Sequence, residues 1–195
     1  MLYKGNPDSA DVDFGIVGKG VTYDTGGLHI KTAMMELMYG DKGGSCAVIG
    51  ALKGCIELKI KKNIVFSCGF AENAIGADAY KPADILTAKN GLTVEVANTD
   101  AEGRLVLSDT MTYLQRTFKP KRVAYIATLT GACAVALGKT NGGLFGTDKE
   151  EVKRWKAASA DSSEPMWPMP VNDEHREATK GKYGADLSNL GHHYS

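Results

Sequence analysis

Apolar positions along the chain fall into short runs whose spacing changes from one to the next. Residues 12–20, VDFGIVGKG, read as a buried strand ending in a glycine loop, and YDTGG after them as a further turn. AMMELMYG (33–40) suits a short helix. Over 45–59, SCAVIGALKGCIELK, apolar residues recur at helical spacing, with Ser45 placed to cap the helix. NIVFSCGFA (63–71) is a near-continuous apolar run between polar residues, the pattern of a strand covered on both faces. DILTAKNGLTVEVANT (84–99) holds Asn90-Gly91 between two alternating stretches, which predicts a hairpin. RLVLSDTMTYLQRTF (104–118) has a helical period, KRVAYIATLTGA (121–132) reads as strand then loop, and DKEEVKRWKAASA (148–160) as an exposed, charged helix. The final KYGADLSNLGHHYS reads as a loop with no closing element. This order predicts an α/β fold: a mixed, mostly parallel twisted sheet with helices on both faces.

The 195 residues suffice for one domain with a substantial core. Charge is balanced, 23 basic against 23 acidic residues, so nothing electrostatic favours nucleic acid or an anionic membrane as a partner. No apolar run approaches the roughly 18 residues that span a bilayer, and the N-terminus lacks the apolar stretch of a signal peptide. Cys46, Cys55, Cys68 and Cys133 form no C-x-x-C pair. Cys46 and Cys55 lie about 13 Å apart along one predicted helix, too far for a disulfide. All four read as reduced core thiols of a cytoplasmic protein. Both ends are abrupt, which suggests a piece of a longer protein. His192-His193 suits a native loop or a tag remnant, although two histidines are too few to favour a tag.

Several chemistries are excluded by motif. There is no H-E-x-x-H and no G-x-S-x-G. Gly138-Lys139-Thr140 looks like the end of a phosphate loop, but Cys133 stands where that loop needs a glycine. The stretch NTDAEGRL (98–105) is different: Asp100, Glu102 and Arg104 occupy alternate positions. If it is extended, side chains two apart share a direction, about 6.6 Å apart along the strand, and the two acids converge. Buried carboxylates that close repel unless a cation lies between them. A divalent ion such as Mg²⁺, Mn²⁺ or Zn²⁺ suits hard oxygen donors. Gly103 then lets the backbone turn into the helix that starts near Arg104. The same acids also suit the first turn of a helix, where they complement its dipole. Further charges stand singly in glycine-rich loops at strand ends, where α/β sheets build their sites: Lys19, Asp24, Lys31 and Asp41. Asp24, Asp41, Asp100 and Glu102 give enough carboxylates for two bridged metals.

NTDAEGRL, with VGKGVTYDTGGLHIK, ENAIGADAYKPADILTAKNGLTVEVANTDAEGRLVLSD and TLTGA, resembles the leucyl aminopeptidase family, the cytosolic exopeptidases of peptidase family M17. The likeness runs from about Val12 to about Ala136 and is looser over the first ten residues and after about Gly146. It implies a metal-dependent aminopeptidase that removes leucine-type N-terminal residues from peptides, through a water activated by two divalent ions (Zn, Mn, Mg or Co). By that resemblance Lys19 and Asp41 bind one metal, Asp100 the other, and Asp24 and Glu102 bridge both. Lys31 is the catalytic lysine. Arg104 holds a bicarbonate that serves as general base. Met38, Asn98, Thr128, Leu129 and Gly131 contact substrate. Residues 1–195 would be an incomplete C-terminal catalytic domain, without the family's N-terminal domain, from a homo-hexameric cytoplasmic parent. Three features depart from the family pattern: Lys42 where Met is common, expected to point outward; His29 where a small residue is usual, expected as a satisfied loop histidine; and a loop between Lys31 and Asp41 one residue short. Two other readings stand beside this one, a Mg²⁺-dependent phosphohydrolase and a fragment that folds and binds metal without catalysis.

Overall fold

A computed structural model describes residues 1–191; His192 and His193 lie outside the described residues. The chain forms two compact units, Met1–Leu129 with the segment from Thr179 onward, and Thr130–Ala178. In the first unit, β1 (Leu2–Lys4), β2 (Phe14–Asp24), β3 (Asn63–Asn73) and β6 (Val123–Ile126) make a sheet in the order β1-β3-β2-β6. β2 runs parallel to both β3 and β6, and only β1 is antiparallel. β4 (Ile85–Thr87), β5 (Thr93–Glu95) and β9 (Leu187–Ser188) form a second, smaller sheet. The second unit holds α3 (Gly131–Leu137), β7 (Gly142–Leu144), α4 (Lys149–Ser162), β8 (Met166–Pro168) and α5 (Asp173–Glu177), with β7 parallel to β8. The fold is therefore mixed α/β with mostly parallel strands. No helix among the described residues is long and apolar enough to cross a membrane.

The two apolar clusters explain why β2 and β3 lack an alternating pattern. Val17 and Val65 pack against Leu107 and Leu114 of α2 (Gly103–Phe118). Their neighbours Ile16, Ile64 and Phe66 point the other way, to Val48 of α1 (Gly43–Glu57). With a helix on each face, neither face of these strands can be polar. Phe66 is fully buried, so Phe66→Ala would cost about 3–5 kcal/mol and empty the α1 side of the core.

Four local expectations change. The glycines at 18 and 20 do not end a strand: β2 runs on to Asp24. They are needed because α1 starts directly against them, and a Cβ on Gly18 would lie 2.6 Å from the Ser45 Cα. Ser45 is not a cap. The helix begins at Gly43, and the Ser45 hydroxyl instead donates to the Gly18 carbonyl at 3.1 Å, tying helix to strand. The C-terminal segment is not an open loop, because β9 adds in parallel to β5 and Asp186 accepts from both the Thr93 N–H and its hydroxyl at 2.8 Å. Cys46 is exposed rather than a core thiol, whereas Cys55 and Cys68 do pack against the α1-side core; all four cysteines are free. The hairpin forms, with Ile85 opposite Glu95 and Gly91 at φ +97° in the connection. The short helix expected in the 33–40 stretch forms as a 3₁₀ helix, Met35–Gly40.

Candidate metal centre

Six charged side chains singled out by the sequence, Lys19, Asp24, Lys31, Asp41, Asp100 and Glu102, meet beyond the C-terminal half of β2. Lys19 and Asp24 both come from this strand, five positions apart, so strict alternation would put them on opposite faces. A bulge between Val21 and Asp24 inserts one extra residue and restores the match: Lys19 pairs with Gly69, Val21 with Ala71, and Asp24 with Asn73. The bulge therefore turns Asp24 onto the face that α2 covers. Asp41 follows the 3₁₀ helix, where its N–H bonds the Met38 carbonyl at 3.2 Å. Gly44 allows this approach, since a Cβ there would lie 2.0 Å from the Ile126 carbonyl oxygen.

Lys19 is 3 % exposed, and its ammonium is engaged on several sides. It lies 2.8 Å from both oxygens of Asp41, 2.9 Å from the Thr128 carbonyl and 3.2 Å from Glu102 Oε1. Lys31 lies 2.9 Å from Asp24 Oδ2 and 2.5 Å from Asp100 Oδ1. One oxygen from each of Asp24, Asp41 and Glu102 falls within 4.8 Å of the others, and all three residues are buried. Burial pushes the Glu102 carboxyl above the usual range; Lys19 pulls it back and Asp24 adds to the rise. Burial draws the Lys31 ammonium down, but its bonds to Asp100 and Asp24 outweigh that and leave its pKa raised.

The octapeptide is not extended. Residues 99 and 100 form a turn and Glu102 is already helical, at φ −70° and ψ −37°. Asp100 and Glu102 thus do not share a strand face; they reach the cluster from either side of a turn. Asn98 makes that turn, its Oδ1 accepting the Asp100 N–H at 2.7 Å and its carbonyl the Ala101 N–H at 3.2 Å. Gly103 has no left-handed backbone to accommodate. Its missing side chain makes room for Lys19, whose Cε lies 2.3 Å from where a Cβ would sit.

The residues expected to contact substrate divide. Thr128 is committed inward: its hydroxyl donates to Asp41 Oδ1 at 2.7 Å and its carbonyl accepts from Lys19. Leu129 and Arg104 line a cavity of about 370 Å³ with Leu107, Met111 and Tyr125. Arg104 has an exposed side chain, yet partial desolvation lowers its pKa while Glu102 and Tyr125 raise it; a guanidinium stays charged at neutral pH. Met38 is half-buried in the 3₁₀ helix, and Gly131 opens α3 in the second unit. Lys42 turns away from the acids, to the Thr22 carbonyl at 3.1 Å and to that of Tyr39. The ring of His29 is satisfied on Thr99, whose N–H donates to Nδ1 at 3.1 Å.

Asn73, Tyr80 and Thr99 were not singled out by sequence. Thr99 is fully buried, with its hydroxyl on the Gly26 carbonyl at 2.6 Å. Tyr80 donates to the Thr99 carbonyl at 2.6 Å, and burial beside Glu102, Asp24 and Asp100 raises its pKa. Asn73 ends an apolar strand at the edge where sites are built, and that position was the available signal.

The donor set fits a hard cation. Asp41 Oδ2, Asp100 Oδ1 and Glu102 Oε1 are buried and accept no aligned hydrogen bond, although each has a lysine within 3.2 Å. Four carboxylates face two ammoniums, which leaves buried negative charge unbalanced. Oxygen donors in this number and density suit divalent ions.

The cytosol aminopeptidase family, catalytic domain, matches residues 1–195. A probable cytosol aminopeptidase of Actinobacillus succinogenes is 45% identical over 192 residues, 98% of this chain and 39% of the relative. Similar proteins of the same name from Fusobacterium nucleatum and Clostridium tetani are 47% identical over 192 residues and 45% over 190, covering 98% and 97% of this chain and 40% and 39% of theirs. The chain thus spans about two fifths of the length of these relatives. On the match over its whole length, the chain belongs to the cytosol aminopeptidase family, within the catalytic domain of that family.

Proposed function

We propose that this chain carries the metal centre of a two-metal aminopeptidase acting on peptides with a free N-terminus, leucine-type residues among them. The observation that carries the reading is the convergence of Asp24, Asp41, Asp100 and Glu102, from three separate segments, around Lys19 and Lys31, with three buried oxygens lacking an aligned donor. Asp24, Asp41, Asp100 and Glu102 would hold two divalent ions (Zn, Mn, Mg or Co), joined by Lys19 once its ammonium gives up a proton, since only the neutral amine has a lone pair to donate. When bound, these supply Lewis acidity that lowers the pKa of a water and polarises the scissile carbonyl. Lys31, clamped between Asp24 and Asp100, presents a fixed positive charge where the carbonyl oxygen becomes negative. Arg104, which lines this cavity, can hold a planar anion such as bicarbonate through its two-pronged donors, and that anion would carry the proton. Leu129 and the apolar wall of the same cavity, with Met38 and Asn98, are assigned to substrate. Thr128 is assigned to holding Asp41.

The relatives are longer than this chain, so residues 1–195 are read as part of a C-terminal catalytic domain. The parent is read as a cytoplasmic homo-hexamer, after the cytosolic names of the relatives and the family resemblance.

The test is elemental analysis with turnover of leucine amide. Lys31→Ala and Arg104→Ala should lower turnover and keep metal; Asp24→Ala and Glu102→Ala should lose metal. Full metal retention by Glu102→Ala counts against the centre. Hydrolysis of a phosphate monoester in place of leucine amide points to a phosphohydrolase. Metal binding with no turnover in the hexameric parent points to a non-catalytic protein.

A further inference from the structure

Asn73 is 5 % exposed and closes β3 beside the acid cluster. Its Nδ2 lies 2.8 Å from Asp24 Oδ1 and 2.9 Å from the Thr99 carbonyl oxygen. Both neighbours only accept, so the amide must turn its two N–H groups to them; an oxygen in that place would face two oxygens. The Asn73 main-chain carbonyl accepts from the N–H and the hydroxyl of Thr25, each at 2.9 Å. One residue therefore grips both sides of the Asp24 carboxylate's own segment and the loop that carries Asp100.

The consequence for Asp24 is orientation. Its Oδ1 is occupied by two uncharged donors, Asn73 Nδ2 and the Gly26 N–H at 2.9 Å. That fixes the rotation of the carboxylate and turns Oδ2 toward Lys31. We propose that Asn73 is a positioning residue of the metal centre: its single amide sets the Asp24 carboxylate and the Asp100 loop in register with each other. This rests on the metal-centre reading above. The residue type is tightly constrained. Aspartate has the shape but no donors and adds a fifth charge, leucine has the bulk but no donors, and glutamine moves the amide by one methylene. Tyr80 serves as an internal comparison, since its hydroxyl reaches the same Thr99 carbonyl at 2.6 Å while Asn73 alone of the two bonds Asp24.

The experiment is Mn²⁺ titration calorimetry on the chain, Asn73→Leu and Tyr80→Phe, with electron paramagnetic resonance of each at saturating Mn²⁺. Asn73→Leu is expected to keep its far-ultraviolet circular dichroism and bind Mn²⁺ about 10–100-fold more weakly, the usual effect of removing a partner that orients a ligand. The spectrum of the ion it does bind should change, which a mere loss of packing would not produce. Tyr80→Phe should lose less, since Thr99 keeps the Asn73 donor. Equal losses in the two variants would show that Asn73 serves the loop alone and overturn the inference, as would wild-type affinity and spectrum in Asn73→Leu. If Asn73→Leu does not fold, Asn73→Gln decides: a weaker, spectrally altered site supports the assignment, and an unchanged one overturns it. An unaltered chain that binds no Mn²⁺ defeats the metal-centre reading itself, and the inference with it.

Discussion

Adding one methyl group at Gly103 tests how closely the octapeptide is fitted to Lys19. A Cβ there would stand 2.3 Å from Lys19 Cε, 2.7 Å from Nζ and 2.9 Å from Cδ. Lysine ends usually swing aside, but this one is 3 % exposed and held by Asp41, Glu102 and the Thr128 carbonyl. Moving it breaks contacts to two buried acids. Forcing an extra methyl into a packed site costs about 1–3 kcal/mol. Against this, Gly→Ala inside a helix gains at most about 1 kcal/mol, and less at the first helical residue, where Gly103 sits. Overpacking should win. Gly103→Ala is expected to lose about 1–2 kcal/mol net, roughly 2–8 °C in Tm for a chain of this size, and to bind Mn²⁺ more weakly. Gly50→Ala is the control: it makes the same chemical change in an exposed position of α1, where a Cβ meets nothing within 4 Å. It should gain up to about 1 kcal/mol. Thermal unfolding by circular dichroism with Mn²⁺ titration reads both. Two variants that shift stability in the same direction, or a Gly103→Ala chain that binds Mn²⁺ normally, would refute the fit.

Three further outcomes follow from individual contacts. Thr128→Val keeps the side-chain shape but removes the hydroxyl from Asp41; a hydrogen bond to a charged group is worth about 1.5–3 kcal/mol, so Mn²⁺ affinity should fall about tenfold or more by calorimetry. Gly18→Ala sets a Cβ against the backbone of Ser45 and Gly44 at 2.6–2.7 Å, which cannot yield as a side chain can, and should abolish soluble folded protein on expression. The carboxyls of Asp13 and Asp186 are both lowered, chiefly by backbone N–H groups, of Asn63 and Thr93 respectively. The folded state therefore binds fewer protons than the unfolded, and the stabilisation is present above the ordinary aspartate value of 3.8 and lost as pH falls below it. Urea unfolding between pH 6 and 3 checks this: Asp186→Asn should lose stability at pH 6 and show a shallower acid slope than the unaltered chain.

The sheet strands and α2 were legible because burial on both faces and a helical period leave direct marks on sequence. The boundaries were harder wherever a glycine served packing and not chain reversal. Gly18 and Gly20 look like a turn, yet they accommodate α1; Gly103 looks like a hinge, yet it accommodates Lys19. Ser45 carries the signature of a cap but spends its hydroxyl on β2. The acids that converge were visible as isolated charges in glycine-rich loops. How they converge was not, because it depends on a one-residue bulge before Asp24 and a turn at Thr99-Asp100, neither of which leaves a periodic trace. Asn73 and Thr99 escaped notice for a related reason: neutral side chains that orient acids look like ordinary polar residues until their partners are seen.

The central claim is that divalent ions sit among these acids. Diffraction data collected at the manganese edge from crystals of the chain grown with Mn²⁺ test it directly. The account predicts two anomalous peaks within about 2–2.6 Å of carboxylate oxygens, drawn from Asp24, Asp41, Asp100 and Glu102. Peaks elsewhere only, or no peak at those four residues under saturating Mn²⁺, would contradict it.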